Sequence, residues 1–288
     1  MKGILNMSCV SDIKSLEFLK VNGCSISPTV STDAASRGQI ETLKWLKDNN
    51  YRYHLLTVAT AASRGQIETL EWLKVEGHHL TPLEVRFAAS GGQLDTLKWL
   101  DDKVKEKDSL ACREAARSGH LDCLKFLKER GFLCNEDSCI KAAANSHFDI
   151  VRWLLDNGVA LSPRIFTGVV SSGNKEMIEW LLRKDCPFDH TATTKAASKG
   201  DLKLLEWLSQ KGISLSQECL RKASINNHLH VIEYLLSKGV VMNQGHLLAA
   251  IEGWAEEAFI YLRDRGCPYD KETLLNYMKD YDVYWKIN

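Results

Sequence analysis

No stretch of this sequence approaches about 18 consecutive apolar residues, so no helix is expected to cross a membrane. An excess of one charge is also missing: lysine plus arginine number 37, and aspartate plus glutamate number 37. Bulk charge therefore gives no pull toward nucleic acid or a membrane surface. Proline is scarce at five residues, and with 18 glycines this is no disordered or fibrous composition. The nine cysteines are an odd count, spread along the chain without a Cys-x-x-Cys pair. That usage points to a reducing, intracellular setting. The opening Met1-Lys2-Gly3-Ile4-Leu5-Asn6 has no apolar run of signal-peptide length. Neither His-Glu-x-x-His nor a phosphate-binding P-loop occurs.

What is present is repetition. AASRGQIETLKWLK from Ala34 and AASRGQIETLEWLK from Ala61 differ only at Lys44 against Glu71. They lie 27 residues apart. Stepping by that period from Trp45 meets Trp72, Trp99, Phe126, Trp153, Trp180, Trp207, Tyr234 and Tyr261, and one step back meets Phe18. Only 8% of the chain is aromatic, so ten aromatics in ten positions is not a chance column. The next column is leucine throughout, from Leu19 and Leu46 to Leu262. A constant period without insertions means one structural unit copied with constant geometry.

Each repeat predicts two helices. An N-cap column holds Ser27, Thr81, Asp108, Asn135, Ser162, Asp189, Ser216, Asn243 and Asp270, with His54 the one departure. Such side chains accept hydrogen bonds from the free N–H groups of a helix start. Pro28, Pro82 and Pro163 follow, where proline fits a first turn. The first helix runs to a small pair, Ala34-Ala35 and its equivalents, and a glycine such as Gly38 or Gly65 turns the chain. The second helix carries apolar residues over more than half its circumference, as a helix with neighbours on both sides requires. It stops at a column of Gly23, Asn50, Gly77, Gly131, Gly158, Gly212, Gly239 and Gly266. Val104 and Asp185 break that column, and the turn at Val104 is expected to close differently. Two short helices cannot bury this much apolar surface alone, but stacked copies can.

The string A-A-x-x-G-[QH]-[IL]-[ED]-x-L-x-x-L resembles the ankyrin repeat over essentially the whole chain. AARSGHLDCLKFLKERG from Ala115 and ASINNHLHVIEYLLSKG from Ala223 carry the resemblance best. The family period is about 33 residues, and its Thr-Pro-Leu-His start is absent here. The missing residues fall where the family carries a projecting β-hairpin. The chain thus resembles the short ankyrin variety of large DNA viruses of amoebae, which would place it in a host cytoplasm. The other α-solenoids, with 34-residue helix pairs, fit neither the period nor the short turn. The expected fold is all-α, a right-handed α-solenoid of about ten stacked helix-turn-helix repeats without long β-hairpin fingers. As one domain over 1–288 it would have an N-terminal cap (1–26), nine repeats (27–269) and a C-terminal cap (270–288). Tyr281, Val283, Tyr284 and Trp285 are expected to cover the end of the stack.

Chemistry is sparse. Gln39, Gln66, Gln93, His120, His147 and His228 share a column after the turn, with Asn174 in the same place. Free exchange of Gln, His and Asn points to a structural hydrogen bond rather than metal ligands. His120 and Cys123 have helical spacing but no second pair to complete a zinc site. Cys112 and Cys139 share one column, and Cys24, Cys186 and Cys267 another. Helices about 8–10 Å apart exceed the Cα reach of about 7 Å for a disulfide, so these are read as small core residues. No nucleophile has a convergent base. No enzyme activity, cofactor or metal is expected.

Charge placement is the remaining signal. Four columns of the first helix, those of Thr32, Asp33, Ser36 and Arg37, would face the concave groove of an ankyrin-like stack. They hold Arg37, Arg64, Arg86, Arg113, Arg117, Lys141, Lys195, Lys199, Arg221 and Lys222 against Asp33, Glu114 and Glu252. Ten against three in a chain of zero net charge suggests a groove for an acidic protein segment. The start of the second helix is acidic instead, as at Glu41, Glu68 and Asp95, which suits the helix dipole. The reading is a monomeric protein-binding module with a protein partner. An adaptor that recruits a ligase or other effector is the alternative, and nucleic acid is disfavoured because the groove lacks aromatics beyond Phe87. Lys44 and Glu71 are expected to be indifferent to packing.

Overall fold

A computed structural model of the chain describes residues 12–285. The first-helix part of the N-terminal cap, in residues 1–11, lies outside them. Among the described residues the chain forms twenty α-helices and no strand, paired as the repeat predicts. Two compact bodies divide it, Met1–Ala160 and Leu161–Asn288. In the first, α1 (Ile13–Val21) is followed by α2 (Thr29–Ser36) and α3 (Ile40–Asp48), α4 (Thr57–Ser63) and α5 (Ile67–Val75), α6 (Pro82–Ser90) and α7 (Leu94–Asp101), α8 (Ser109–Ser118) and α9 (Leu121–Glu129), and α10 (Glu136–Ala144) and α11 (Phe148–Asp156). The second holds α12 (Pro163–Ser172) and α13 (Lys175–Arg183), α14 (Thr191–Lys199) and α15 (Leu202–Gln210), α16 (Gln217–Ile225) and α17 (Leu229–Ser237), α18 (Gln244–Glu252) and α19 (Glu256–Asp264), then α20 (Lys271–Asp280).

The helix starts follow the cap column. Thr81 and Glu84 form a capping box at α6, and Asp108, Asn135, Ser162 and Asp270 accept from backbone N–H groups. At His54 the imidazole Nδ1 accepts the N–H of Leu56 at 3.2 Å, and α4 starts late. Asp185 adopts φ +54° and closes α13 as glycine does elsewhere. Val104 stays out of the left-handed region. Its N–H instead bonds Leu100 O at 2.9 Å, and its side chain is buried.

The core sits between the helix layers. Leu43, Leu70, Leu73, Leu124 and Leu154 have no exposure, nor do the alanine pairs Ala34-Ala35, Ala61-Ala62 and Ala88-Ala89. Small residues let first helices of successive repeats lie close: α2 on α4, α4 on α6, α6 on α8 and α8 on α10. In the second body α12, α14, α16 and α18 stack likewise. Second helices approach one another less closely.

The aromatic column packs differently from the leucines beside it. Its Trp, Phe and Tyr rings from Trp45 onward are half-buried, and a cation four residues on often lies over the ring. Lys103 sits 4.6 Å from the Trp99 ring centre and Arg265 4.7 Å from that of Tyr261.

Successive repeats interlock at the turn. Gly65 has φ +73°, and a Cβ there would lie 2.5 Å from Gln93 Oε1 of the next repeat. At Gly119 a Cβ would meet the His147 ring at 2.7 Å. Gln66 Nε2 reaches back to Ser36 O of the previous repeat at 3.4 Å, Gln93 Nε2 bonds Gly91 O of its own turn at 2.9 Å, and the histidine rings bond back. His120 Nε2 bonds Ser90 O at 3.1 Å, His147 Nε2 bonds Arg117 O at 3.0 Å, and His228 Nε2 bonds Ser198 O at 3.1 Å. The Gln/His column is a structural hydrogen-bond position, and it explains the glycine that precedes it in the stack.

Of the C-terminal aromatics, Trp285 packs on Phe259 with ring centres 5.3 Å apart, and Val283 is buried. Tyr281 stacks on Tyr277 at 4.9 Å. Tyr284 turns away and is 83% exposed, so the cover is partial.

Candidate protein-binding face

The ten cations of the basic stripe all lie on first helices or at their C-terminal ends, on α2, α4, α6, α8 and α10 in one body and α14 and α16 in the other. Their surroundings differ. Arg37 pairs with Asp33 at 3.2 Å across one helical turn. Arg86 pairs with Asp108, the cap of the following first helix. Arg113 and Arg117 share Glu114 at 3.0 and 2.7 Å. In the second body Glu218 holds Arg221 at 2.9 Å and Lys222 at 3.7 Å, and Glu252 adds a contact to Arg221 at 3.6 Å. The hydrogen bond from Arg221 keeps the Glu218 carboxyl below its ordinary value, so the group stays ionised.

Four cations have no carboxylate. Lys199 donates to the backbone carbonyl of Ser171. Arg64, Lys141 and Lys195 are exposed, and no carboxylate lies within ion-pair distance of them among the described residues. The neutralising acids Asp108 and Glu218 stand outside the four columns that define the stripe, which is why the stripe in sequence shows more open charge than the structure does. Their signal was present, because Glu218 lies three residues before Arg221 on one helix.

The cysteines divide. Cys112 and Cys139 have no exposure, Cys186 and Cys267 have 3%, and Cys24 is exposed, which corrects its reading as a core residue. Cys267 donates to Asn243 O at 3.2 Å and Cys186 to Ser162 O at 3.6 Å, each closing onto the cap residue of the previous first helix. Glu71 corrects a second reading. It accepts the indole N–H of Trp99 at 3.0 Å, so this position is not indifferent to packing.

Paired helices and short glycine turns, stacked copy on copy, define a class, the repeat scaffold. The family model described as ankyrin repeats (3 copies) matches residues 85–164 and 166–246. These segments make up more than half of the sequence, and the chain belongs to the ankyrin-repeat family. Ankyrin repeats are generally protein–protein interaction modules, and the family is typically a non-enzymatic scaffold. No curated protein matches the chain. Among the described residues no helix is long and apolar enough to cross a membrane.

Proposed function

We propose that the chain binds an acidic segment of a protein partner on its first-helix face. The observation that carries this reading is the set of cations left without carboxylates: Arg64 and Lys141 in one body, Lys195 and Lys199 in the other. An exposed cation already paired to a neighbour gains little from a new anion, whereas an unpaired one can exchange water for it. The unpaired four are therefore the contacts, and Arg37, Arg86, Arg113, Arg117, Arg221 and Lys222 supply a local frame of ion pairs. We read the repeats as the short ankyrin variety and the setting as cytoplasmic, supported by the free thiols of the eight described cysteines.

The test is titration with a labelled oligo-glutamate peptide, with an oligonucleotide of equal charge as comparison. Arg64→Glu with Lys141→Glu, and separately Lys195→Glu with Lys199→Glu, should weaken peptide binding. Two lost surface contacts together cost about 1–2 kcal/mol, near tenfold in Kd. Unchanged peptide affinity in both double variants rejects the acidic-segment reading. Tighter oligonucleotide binding with a steep salt dependence replaces it with a nucleic-acid one.

A further inference from the structure

A cleft of about 480 Å³ opens in the first body between the chain that links α3 to α4 and the C-terminal end of α5. That volume is in the range of ligand pockets. Its walls are aromatic. Tyr51 stacks on Trp45 with ring centres 5.8 Å apart and planes 14° from parallel. Tyr53 stacks on His78 at 5.5 Å and 20°. The Tyr53 hydroxyl also donates to Leu43 O at 2.5 Å. Burial, with the charges of Glu76 and Asp48, pushes that hydroxyl up to about 12, so it stays a donor. The rings are therefore held in place before anything binds.

The polar groups of the cleft divide into engaged and free. Lys47 and Glu76 pair with each other, and the Tyr53 hydroxyl is taken by Leu43. The Arg52 guanidinium is exposed and has no carboxylate within ion-pair distance among the described residues. The Asn50 amide, the Tyr51 hydroxyl and the His78 ring nitrogens have no hydrogen-bond partner among them either. Each of these free groups can donate a hydrogen bond, and the carboxylate that could accept one is held by Lys47. The cleft thus suits a ligand rich in acceptors and poor in N–H donors, with a flat apolar body for the rings and a negative charge for Arg52.

We propose that this cleft binds a proline-rich segment of a protein partner with an acidic side chain beside the prolines. Proline has a carbonyl but no N–H, and its chain takes the polyproline II form, which leaves those carbonyls free. Such segments dock on aromatic-lined grooves and are ordered before they bind. The acidic neighbour gives Arg52 its counter-charge and sets which way the segment runs. The cleft lies on connecting chain and second-helix ends, so it does not depend on the first-helix face.

The second body supplies a contrast. Six copies on, the same place holds a cavity of about 580 Å³, with Ile213, Ser214 and Leu215 where the first has Tyr51, Arg52 and Tyr53, and Val240 in place of His78. Stacking makes the hollow, and the rings and the guanidinium give it this specificity.

Full-length protein titrated with labelled oligoproline peptides tests this, with unlabelled oligo-glutamate in excess to keep the first-helix cations occupied. The peptide carrying glutamates at one end should bind more tightly than the one carrying lysines. Arg52→Glu changes an exposed side chain and should reverse that order. Tyr51→Ala should weaken both peptides about tenfold. Arg64→Glu with Lys141→Glu should leave both as they are, and loss of binding there places the peptide on the first-helix face and overturns the proposal. It is overturned equally by no binding of the glutamate-flanked peptide, by its full displacement with oligo-glutamate, or by an unchanged order of preference in Arg52→Glu. That order decides the matter even if Tyr51→Ala fails to fold.

Discussion

The two nearly identical strings from Ala34 and Ala61 build the same core and different surfaces. Leu43 and Leu70 are both without exposure, and Gly38 and Gly65 have φ +71° and +73°. Outside the core they part. Arg37 is paired to Asp33, whereas Arg64 has Thr60 at that place and no carboxylate partner among the described residues. Lys44 pairs with Glu41 of its own helix at 2.7 Å, whereas Glu71 takes the Trp99 indole from the next repeat. The shared letters specify stacking. What a side chain does at the surface depends on what its own helix and the next repeat bring to it.

The comparison can be broken first at its core. Leu43→Ala and Leu70→Ala should each cost about 2–5 kcal/mol. Equal chemistry and equal burial predict similar losses in urea unfolding, and a large gap between them would show that the two copies are not equivalent. The turn comes next. Gly65→Ala should cost about 1–2 kcal/mol for the left-handed backbone alone, plus the collision with Gln93. Adding Gln93→Ala should return the collision part and leave the backbone part. Gly23→Ala, with φ +67° and open space around it, should show the backbone part by itself.

A capping contrast gives a pH prediction. Glu84 closes the box at α6, whereas buried His246 closes the one at α18, accepting the N–H of Asn243 at 2.9 Å. Burial holds the His246 pKa below its ordinary 6.5. Protons therefore bind the unfolded chain first. The stability that His246 contributes is complete above pH 6.5 and declines as pH falls below it toward the depressed folded value. His246→Gln should flatten that part of a pH–stability curve. The smallest effects belong to the one letter that differs. Glu71→Lys should cost about 0.5–1.5 kcal/mol through the lost indole hydrogen bond. Lys44→Glu should stay within about 0.5 kcal/mol. Equal effects would remove the distinction between the two copies.

The fold was legible because leucine, alanine and glycine recur at one period, and each has a single physical use at its place. The basic columns were legible as positions on first helices. Their pairing was not: packing brings Asp108 in from the next repeat, and Glu218 stands outside the basic columns, three residues before Arg221 on its own helix. A column search compares residues 27 apart, and Glu71 with Trp99, across 28, escapes it for the same reason.

The interlock at the turn bears on how such a chain can lengthen. Five copies carry a notch, the bare glycine at Gly38, Gly65, Gly92, Gly119 and Gly200, filled by the Gln or His of the next copy. A tandem duplication cut anywhere in the copy regenerates a matched joint, so growth by copying needs no compensating mutation. Trp254 stands in the notch position of the last full repeat with φ +55°, and its side chain is 61% exposed. A side chain larger than glycine there leaves no bare notch for a Gln or His of a following copy.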